Sequence, residues 1–198
     1  MQREAPDSFF YREIKDFNIE FLGLVAAARH ACHGAAFGLE RPIIERIGLL
    51  SPTQLDAMAS TPCLLASLAS DRQAVRQSFL AEPPPAPDPV WVEESRLFAA
   101  RLLTYAWQMM RRDSLHAVLC VGPATESLSA GMSYGEMRAV ARSDLRQLEA
   151  RFHGHPRFWL DLTLAARDGR NAELRMAQLA SIPLATAEMQ GARRRLLA

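Results

Sequence analysis

The sequence has almost no lysine, few cysteines and no long apolar run. Lys15 is its only lysine, so arginine carries nearly all of the positive charge. Such arginines serve either bidentate recognition or only reflect the composition of a GC-rich genome. Cys32, Cys63 and Cys120 are too few for a disulfide-stabilised secreted scaffold and favour a reducing compartment. The N-terminus lacks the pattern of a signal peptide, and no stretch approaches the ~20 apolar residues of a membrane span. We therefore expect a cytoplasmic protein without a membrane partner.

An excess of charge of either sign is also absent. The 23 basic and 22 acidic residues give a formal net charge of +1, which does not by itself indicate a nucleic-acid-binding or membrane-binding protein. Hydrophobic residues make up 49% of the 198 positions, enough to form the core of one medium domain or two small ones.

Motifs typical of enzymes are absent too. The sequence contains no Gly-x-Ser-x-Gly elbow, no phosphate-binding glycine loop and no dinucleotide fingerprint. Asp113, Ser114 and His116 are neighbours in the sequence and do not constitute a catalytic triad. We expect a protein that is not an enzyme, with no catalytic residues and no cofactor.

One short segment has the composition of a metal site. His30, Cys32 and His33 are close together, but a zinc site needs four ligands and no second pair at ligand spacing follows. A histidine at a helix end is also favourable against the helix dipole. The sequence therefore predicts no metal ligands.

Two long helices with apolar seams are predicted, at 8–32 and 91–112. In each helix apolar residues recur at alternating spacings of four and three, which is the pattern of a helix that packs along a partner. The second seam follows the first by 81 positions, and its partner is either the other seam of the same chain or another chain. The predicted seam interface consists of Phe10, Ile14, Phe17, Phe21 and Leu24, continued by Ala28, and of Phe98, Leu102, Tyr105 and Met109.

A repeated capping box supports an internal repeat. Ser51 with Gln54, and Ser133 with Glu136, both have the spacing in which a serine side chain and the third following side chain bond each other's backbone amides. The two boxes lie 82 positions apart, and each follows a seam helix. This order of elements predicts a tandem of similar units.

A proline-rich stretch separates the two predicted units. Five prolines fall between 81 and 89, which is incompatible with a helix interior or a central strand. We predict an N-terminal helical unit at 1–80, a linker at 81–90 and a C-terminal unit with a basic last helix at 91–198. Further helices are predicted at 41–47, 51–60, 63–79, 144–152, 156–166, 171–180 and 185–197, and no strand. The predicted fold is all-α: two similar multi-helix units that form a pseudo-dimer.

Several motifs resemble those of the flagellar transcriptional activator FlhD family. Ala-Ala-Phe-Gly-Leu at 35–39 resembles the family's Ala-Met-Phe-Arg-Leu-Gly turn. The segment 50–61 resembles its Leu-Thr-x-x-Gln-Met-x-x-Leu-Ala-x-Thr helix start, and Leu64 and Leu65 follow where the family has an aliphatic pair. Segment 117–122, the second capping box and segment 168–174 are similar to the same or later elements. The resemblance covers 10–70 and, more loosely, 96–185.

The resemblance implies a non-catalytic transcriptional regulator. It would act with an FlhC-like protein on promoter DNA and recruit RNA polymerase, either as a homodimer or as a monomeric pseudo-dimer. The family's interface cysteine would fall near Ala66 and Leu148, so no interchain disulfide is implied. The candidate DNA contacts are Arg41, Arg46, Arg138, Arg142, Arg193, Arg194 and Arg195.

A second hypothesis assigns the chain to a different class. The near-neutral charge and the lack of a clear recognition helix also suit a helical adaptor or chaperone of a secretion or motility system. Such a protein would bind only other proteins.

Overall fold

A long helix opens each half of the molecule, and these two helices lie side by side. The computed structural model describes residues 6–32, 34–68, 87–122, 133–136 and 148–196, and within these ranges the chain is mainly helical. No helix in the described ranges is long and apolar enough to cross a membrane. The elements in chain order are α1 (Pro6–Ala31), α2 (Arg41–Ile47), α3 (Pro52–Ala59), β1 (Ala66–Leu68), α4 (Pro89–Arg112), α5 (Ser114–Val121), β2 (Leu148–Ala150), α6 (Phe158–Arg167), α7 (Asn171–Leu179) and α8 (Ser181–Leu196).

Helices α1 and α4 run antiparallel. The backbone N–H of Asp88 donates to the carbonyl of Ala31 at 3.1 Å, which joins the start of α4 to the end of α1. At the opposite end, the rings of Phe10 and His116 are 4.8 Å apart. Asp88 also caps α4 through its side chain, and Pro89 takes the first helical position, where its missing N–H costs nothing. Residues 81–86 of the predicted linker lie outside the described part of the chain.

Both predicted capping boxes are present. The Ser51 amide donates to Gln54 Oε1 at 2.8 Å, and the Gln54 amide donates to Ser51 Oγ at 3.3 Å. The corresponding distances between Ser133 and Glu136 are 2.7 and 3.3 Å, at the start of a helical turn at 134–136. Each box satisfies two backbone donors that the first helical turn would leave unpaired.

The turn before α2 requires glycine. Ala36 and Leu39 exchange backbone hydrogen bonds, with Phe37 and Gly38 between them at φ of 54° and 76°. A Cβ on Gly38 would lie 2.9 Å from the ring of His153. The close ring leaves no room for a Cβ at Gly38, and its positive φ also disfavours any residue other than glycine.

Two helix predictions are wrong in the part that the structure describes, and their residues 69–79 and 144–147 lie outside the described part of the chain. Residues 63–68, the start of a predicted helix at 63–79, form a loop and β1, and the predicted helix at 144–152 is replaced at its end by β2. The two strands pair antiparallel, with Ala66 opposite Ala150 and Ser67 opposite Glu149. Three-residue strands are too short for period-two alternation, and only a partner distant in sequence stabilises them. The prediction of no strand is therefore wrong, although the fold remains mainly helical.

Helix α5 is a second departure from expectation. Segment 117–122 resembles the turn at 35–39 in sequence, but it belongs to α5 and to its C-cap Gly122, which has a φ of 116°. Asp113 caps the helix by accepting from the amide of His116 at 3.0 Å. Helices α6 and α7 lie within two residues of their predicted bounds, whereas α8 begins four residues earlier than predicted.

The described parts of both halves contribute to one hydrophobic core. Phe21 and Leu64 from the first half and Phe98 and Trp159 from the second are all buried in it. The rings of Phe21 and Trp159 lie 6.5 Å apart. The division into units at 1–80 and 91–198 stays a prediction.

A buried asparagine fixes the loop before β1. Asn18 of α1 is fully buried, and its side-chain amide donates to the carbonyls of Ala59, Thr61 and Cys63 at 3.1, 3.3 and 3.1 Å. Its side-chain oxygen accepts from the amide of Leu65 at 2.7 Å. The loop therefore needs no water to satisfy these backbone groups.

A buried arginine fixes the chain after β2. Arg151 is 2% exposed, and its guanidinium donates to the carbonyls of Cys120 at 2.7 Å and Leu119 at 3.0 Å, at the C-terminus of α5. It also pairs with Glu188 of α8 at 2.9 Å. One cation thus joins β2, α5 and α8.

Candidate functional site

The first candidate surface is the contact between α1 and α4. Phe17 lies with its ring centroid 6.0 Å from that of Phe98 and 4.8 Å from that of Tyr105. Phe21 lies 5.9 Å from Phe98. The predicted seam residues on both helices are buried or half-buried in the shared core. The two seams therefore contact each other within one chain.

Polar groups complete this contact. Arg101 of α4 forms an ion pair with Glu20 of α1, and the indole N–H of Trp91 donates to the carbonyl of Leu24 at 2.9 Å. The hydroxyl of Tyr105 is buried without a hydrogen-bond partner in the described residues, and burial raises the pKa of this phenol. The sequence analysis does not select Glu20 and Arg101 as a pair. Their opposite charges and their separation of 81 positions, the same as that of the two seams, could have indicated the contact.

Three contacts join residues that are separated by the offset of the predicted internal repeat. Phe98 lies 81 positions after Phe17, and Arg101 lies 81 positions after Glu20. Ser67 pairs with Glu149, 82 positions later, at the centre of the two-stranded sheet. The offset is therefore 81 in the seam helices and 82 from the capping boxes onward.

Arg41, a candidate DNA contact, is engaged by the protein itself. Its guanidinium donates to the carbonyls of Cys32 and Arg29, the latter at 2.9 Å, and its Nε donates to Glu45 at 2.9 Å. These bonds satisfy carbonyls at the C-terminus of α1 that have no helical partner. Arg41 thus closes the end of α1 in this structure.

The other candidate arginines do not converge on one described surface. Arg46 is half-buried in the last turn of α2, and Arg194 is exposed on α8. Arg138 and Arg142 lie outside the described residues, as do the side chains of Arg193 and Arg195. Among the three candidates whose side chains the structure describes, Arg41 and Arg46 lie on α2 and Arg194 lies on α8.

A groove between α6 and α7 was not anticipated from the sequence. It encloses about 570 Å³, and its apolar lining includes Leu164 and Met176, whose side chain is 70% exposed. Two arginines at its rim are paired with carboxylates: Arg157 with Asp161 at 3.1 Å, and Arg170 with Glu173. An apolar surface with a charge-balanced rim suits a protein helix better than a phosphate backbone. A methionine on a helix face gives no signal that could have located this groove.

The residues whose types suggested a catalytic triad or a metal site have no such arrangement in the described part of the chain. The carboxylate of Asp113 is the N-cap of α5, and the hydrogen bond from the His116 amide lowers its pKa. His30 is exposed and Cys32 is half-buried, with burial raising the pKa of the Cys32 thiol. The described residues contain no group of three His, Cys, Asp or Glu side chains that could hold a metal ion.

The two remaining cysteines are buried thiols. Cys63 and Cys120 flank the hydrogen bond from the Leu64 amide to the Cys120 carbonyl at 2.9 Å. Burial raises the pKa of Cys120 to about 12, so this thiol stays protonated and poorly nucleophilic.

Comparison with known proteins identifies no relative. No family model matches the chain, and neither a curated protein nor a solved structure does.

Proposed function

We propose that this chain is a non-catalytic, FlhD-like transcriptional regulator that acts through an FlhC-like partner and contacts promoter DNA. Its two halves would form within one polypeptide the pair that the FlhD family forms from two chains. The observation that carries this proposal is the contact of residues with their own repeat equivalents. Phe17 with Phe98 and Ser67 with Glu149 have the geometry of residues beside the axis of a symmetric pair.

The motifs that resemble the FlhD family add support. The positions expected for the family's interface cysteine, Ala66 and Leu148, lie in the two strands that pair with each other. Ser51 and Ser133 both close a capping box after a seam helix. These coincidences support a proposal in which the two halves meet along α1, α4 and the paired strands.

The two seam helices already bury each other, so a partner protein would bind elsewhere. In this chain, the proposed DNA contacts are Arg46 and the arginines at the basic end of α8. Arg138 and Arg142 are further candidates. Arg41 is a weaker candidate because DNA would have to compete with the carbonyls of Arg29 and Cys32.

A gel-shift assay tests this proposal. The full-length protein, with and without an FlhC-like partner, is titrated onto promoter DNA and onto a scrambled duplex. We expect sequence-dependent retention with the partner present.

Replacing Arg193, Arg194 and Arg195 together by Ala should weaken binding and reduce the slope of log K against log salt by about 2.7, if all three contact phosphate. Arg157→Ala, which removes an arginine already paired with Asp161, is the matched control. Equal affinity for both duplexes in the presence of the partner would contradict the proposal.

The α6–α7 groove favours a second candidate function, a protein-binding adaptor or chaperone of a secretion or motility system. Its exposed Met176 could accommodate differing apolar side chains because methionine is flexible and polarisable. A mild pull-down of the tagged chain from its native cells separates the two functions. Recovery of an FlhC-like protein with RNA polymerase favours the regulator, whereas recovery of secretion or motor components without them favours the adaptor.

A further inference from the structure

The α1–α4 contact carries charges that differ between the two halves. Glu20 and Arg101 are equivalent in the repeat, and they form an ion pair with each other. Phe17 and Phe98, one helical turn away, are also equivalent and also in contact. In an antiparallel pair, residues that touch their own equivalents lie next to the two-fold axis. One position beside this axis therefore carries an acid in the first half and a base in the second.

A pair of identical helices would lose this complementarity. Two copies of α1 packed in the same way would place Glu20 against Glu20, and two copies of α4 would place Arg101 against Arg101. Like charges at such a position are unfavourable. The side-chain volume in the contact would change as well, because Ala28 of α1 is equivalent to Met109 of α4. Two α1 helices would have the small alanine at both positions and leave a cavity, whereas two α4 helices would have the large methionine at both and be overpacked.

A second acid, Glu94, lines the groove in which Arg101 and Glu20 lie. Arg101 and Glu20 line a surface groove of about 490 Å³ that Glu94 also lines. The side chains of Arg101 and Glu20 are 57% and 38% exposed, so the attraction is partly screened by water and salt. An acid at position 101 would join two carboxylates, whereas a base at position 20 would still have Glu94 nearby.

We propose that the α1–α4 surface selects the other half of its own chain and rejects a second copy of either helix. The charge difference at positions 20 and 101 supplies this selectivity. The inference rests on the two-unit arrangement proposed above and not on any role in transcription. A failure to bind DNA would therefore leave it unaffected.

The first experiment separates repulsion from a simple loss of attraction in the full chain. Arg101→Gln removes the attraction, and Arg101→Glu adds repulsion at nearly equal side-chain length. We expect Arg101→Glu to lower the Tm by about 2–4 °C, in the range for roughly 1 kcal/mol in a chain of this size. Arg101→Gln should lower it by less. In 1 M salt the two variants should converge because the Debye length falls to about 3 Å.

The reversed pair completes the cycle. Glu20→Arg alone should lower the Tm by less than Arg101→Glu does, since Glu94 lines the same groove. The double variant Glu20→Arg with Arg101→Glu should unfold at a higher temperature than Arg101→Glu alone. Arg157→Glu is the control, because Arg157, the N-cap residue of α6, pairs with Asp161 of that same helix and this pair does not join two helices. Equal Tm values for Arg101→Gln and Arg101→Glu, or additive effects in the double variant, would overturn the proposal.

The single lysine gives a direct probe for pairing between copies. Lys15 lies on α1 near the axis, so antiparallel pairing of two α1 helices would bring two Lys15 residues to positions about 10 Å apart along the helices. An amine-reactive cross-linker applied to a mixture of isotope-labelled and unlabelled full chain should give no mixed Lys15–Lys15 product. A mixed Lys15–Lys15 product found by mass spectrometry would overturn the proposal.

Discussion

The two halves of the molecule secure their short strands in different ways. Before β1, the neutral Asn18 satisfies four backbone groups of one loop from a neighbouring helix. After β2, Arg151 brings a full positive charge into the core and needs both carbonyls and the Glu188 carboxylate to balance it. An amide holds one loop at low desolvation cost, whereas a guanidinium holds several elements at a higher one. The first half therefore depends on hydrogen-bond geometry, and the second on a charge pair.

Removing the buried charge should have the largest effect. Arg151→Met leaves the Glu188 carboxylate and the carbonyls of Leu119 and Cys120 without their donor. We expect the free energy of unfolding to fall by about 3 kcal/mol, the low end for broken buried pairs, because the Glu188 side chain is 31% exposed and water can solvate its charge. Denaturant unfolding monitored by circular dichroism measures this.

Two control variants separate the charge of Arg151 from its hydrogen-bond geometry and from its burial. Arg151→Lys keeps the charge and loses the bidentate geometry, so its effect should be intermediate. Arg96→Met removes an exposed arginine that pairs with Glu93 at 3.8 Å, and it should cost less than about 1 kcal/mol. A loss for Arg151→Met no greater than that for Arg96→Met would contradict the charge-based account of the second half.

Removing the buried amide should have the next largest effect. Asn18→Ala leaves three carbonyls and the Leu65 amide unsatisfied in the core, and we expect a loss of about 2–3 kcal/mol. Asn18→Asp is nearly isosteric but replaces the donating NH₂ by an acceptor that faces carbonyls. It should therefore destabilise at least as much as Asn18→Ala. Chemical denaturation again gives the values, and a stable Asn18→Asp variant would rule out the donor role.

Changes in the two capping boxes should have the smallest effect on the free energy of unfolding. In the second box this effect should depend on pH. Ser51→Ala should cost about 1 kcal/mol through loss of the cap. In the second box the hydrogen bond from the Ser133 amide lowers the pKa of Glu136 below its ordinary value of 4.5. That stabilisation is fully present above pH 4.5 and is lost as the pH falls through the lower folded-state value. The first box uses the amide of Gln54 and should not titrate.

An NMR titration distinguishes the two boxes. The backbone amide proton of Ser133 should shift as the pH falls below 4.5, while that of Ser51 should not follow the same transition. In Glu136→Gln the shift of the Ser133 amide should disappear. A Ser133 resonance that does not change with pH in the unmodified chain would contradict the assignment.

The elements of the predicted repeat could be located from the sequence where the signal is local. The seam spacing located α1 and α4 to within two residues, and the serine with its third following residue located both capping boxes. The groove at Met176 and the engagement of Arg41 could not be predicted, because each depends on residues from elements that meet only in the fold. Among the candidate DNA contacts, Arg194 is exposed whereas Arg41 is bonded to backbone carbonyls. The sequence alone does not distinguish these two arginines.

Local sequence is sufficient to specify which segments form amphipathic helices, because apolar periodicity and capping are properties of neighbouring residues. Tertiary structure alone decided that Leu64 to Leu68 and Leu148 to Ala150 leave the helical state, since each strand is stabilised by the other across 82 positions. It also decided that the seam of α1 packs on that of α4, with Glu20 facing Arg101. Burial and pairing at long range outweigh local propensity at these positions, because only the folded chain brings the partners together.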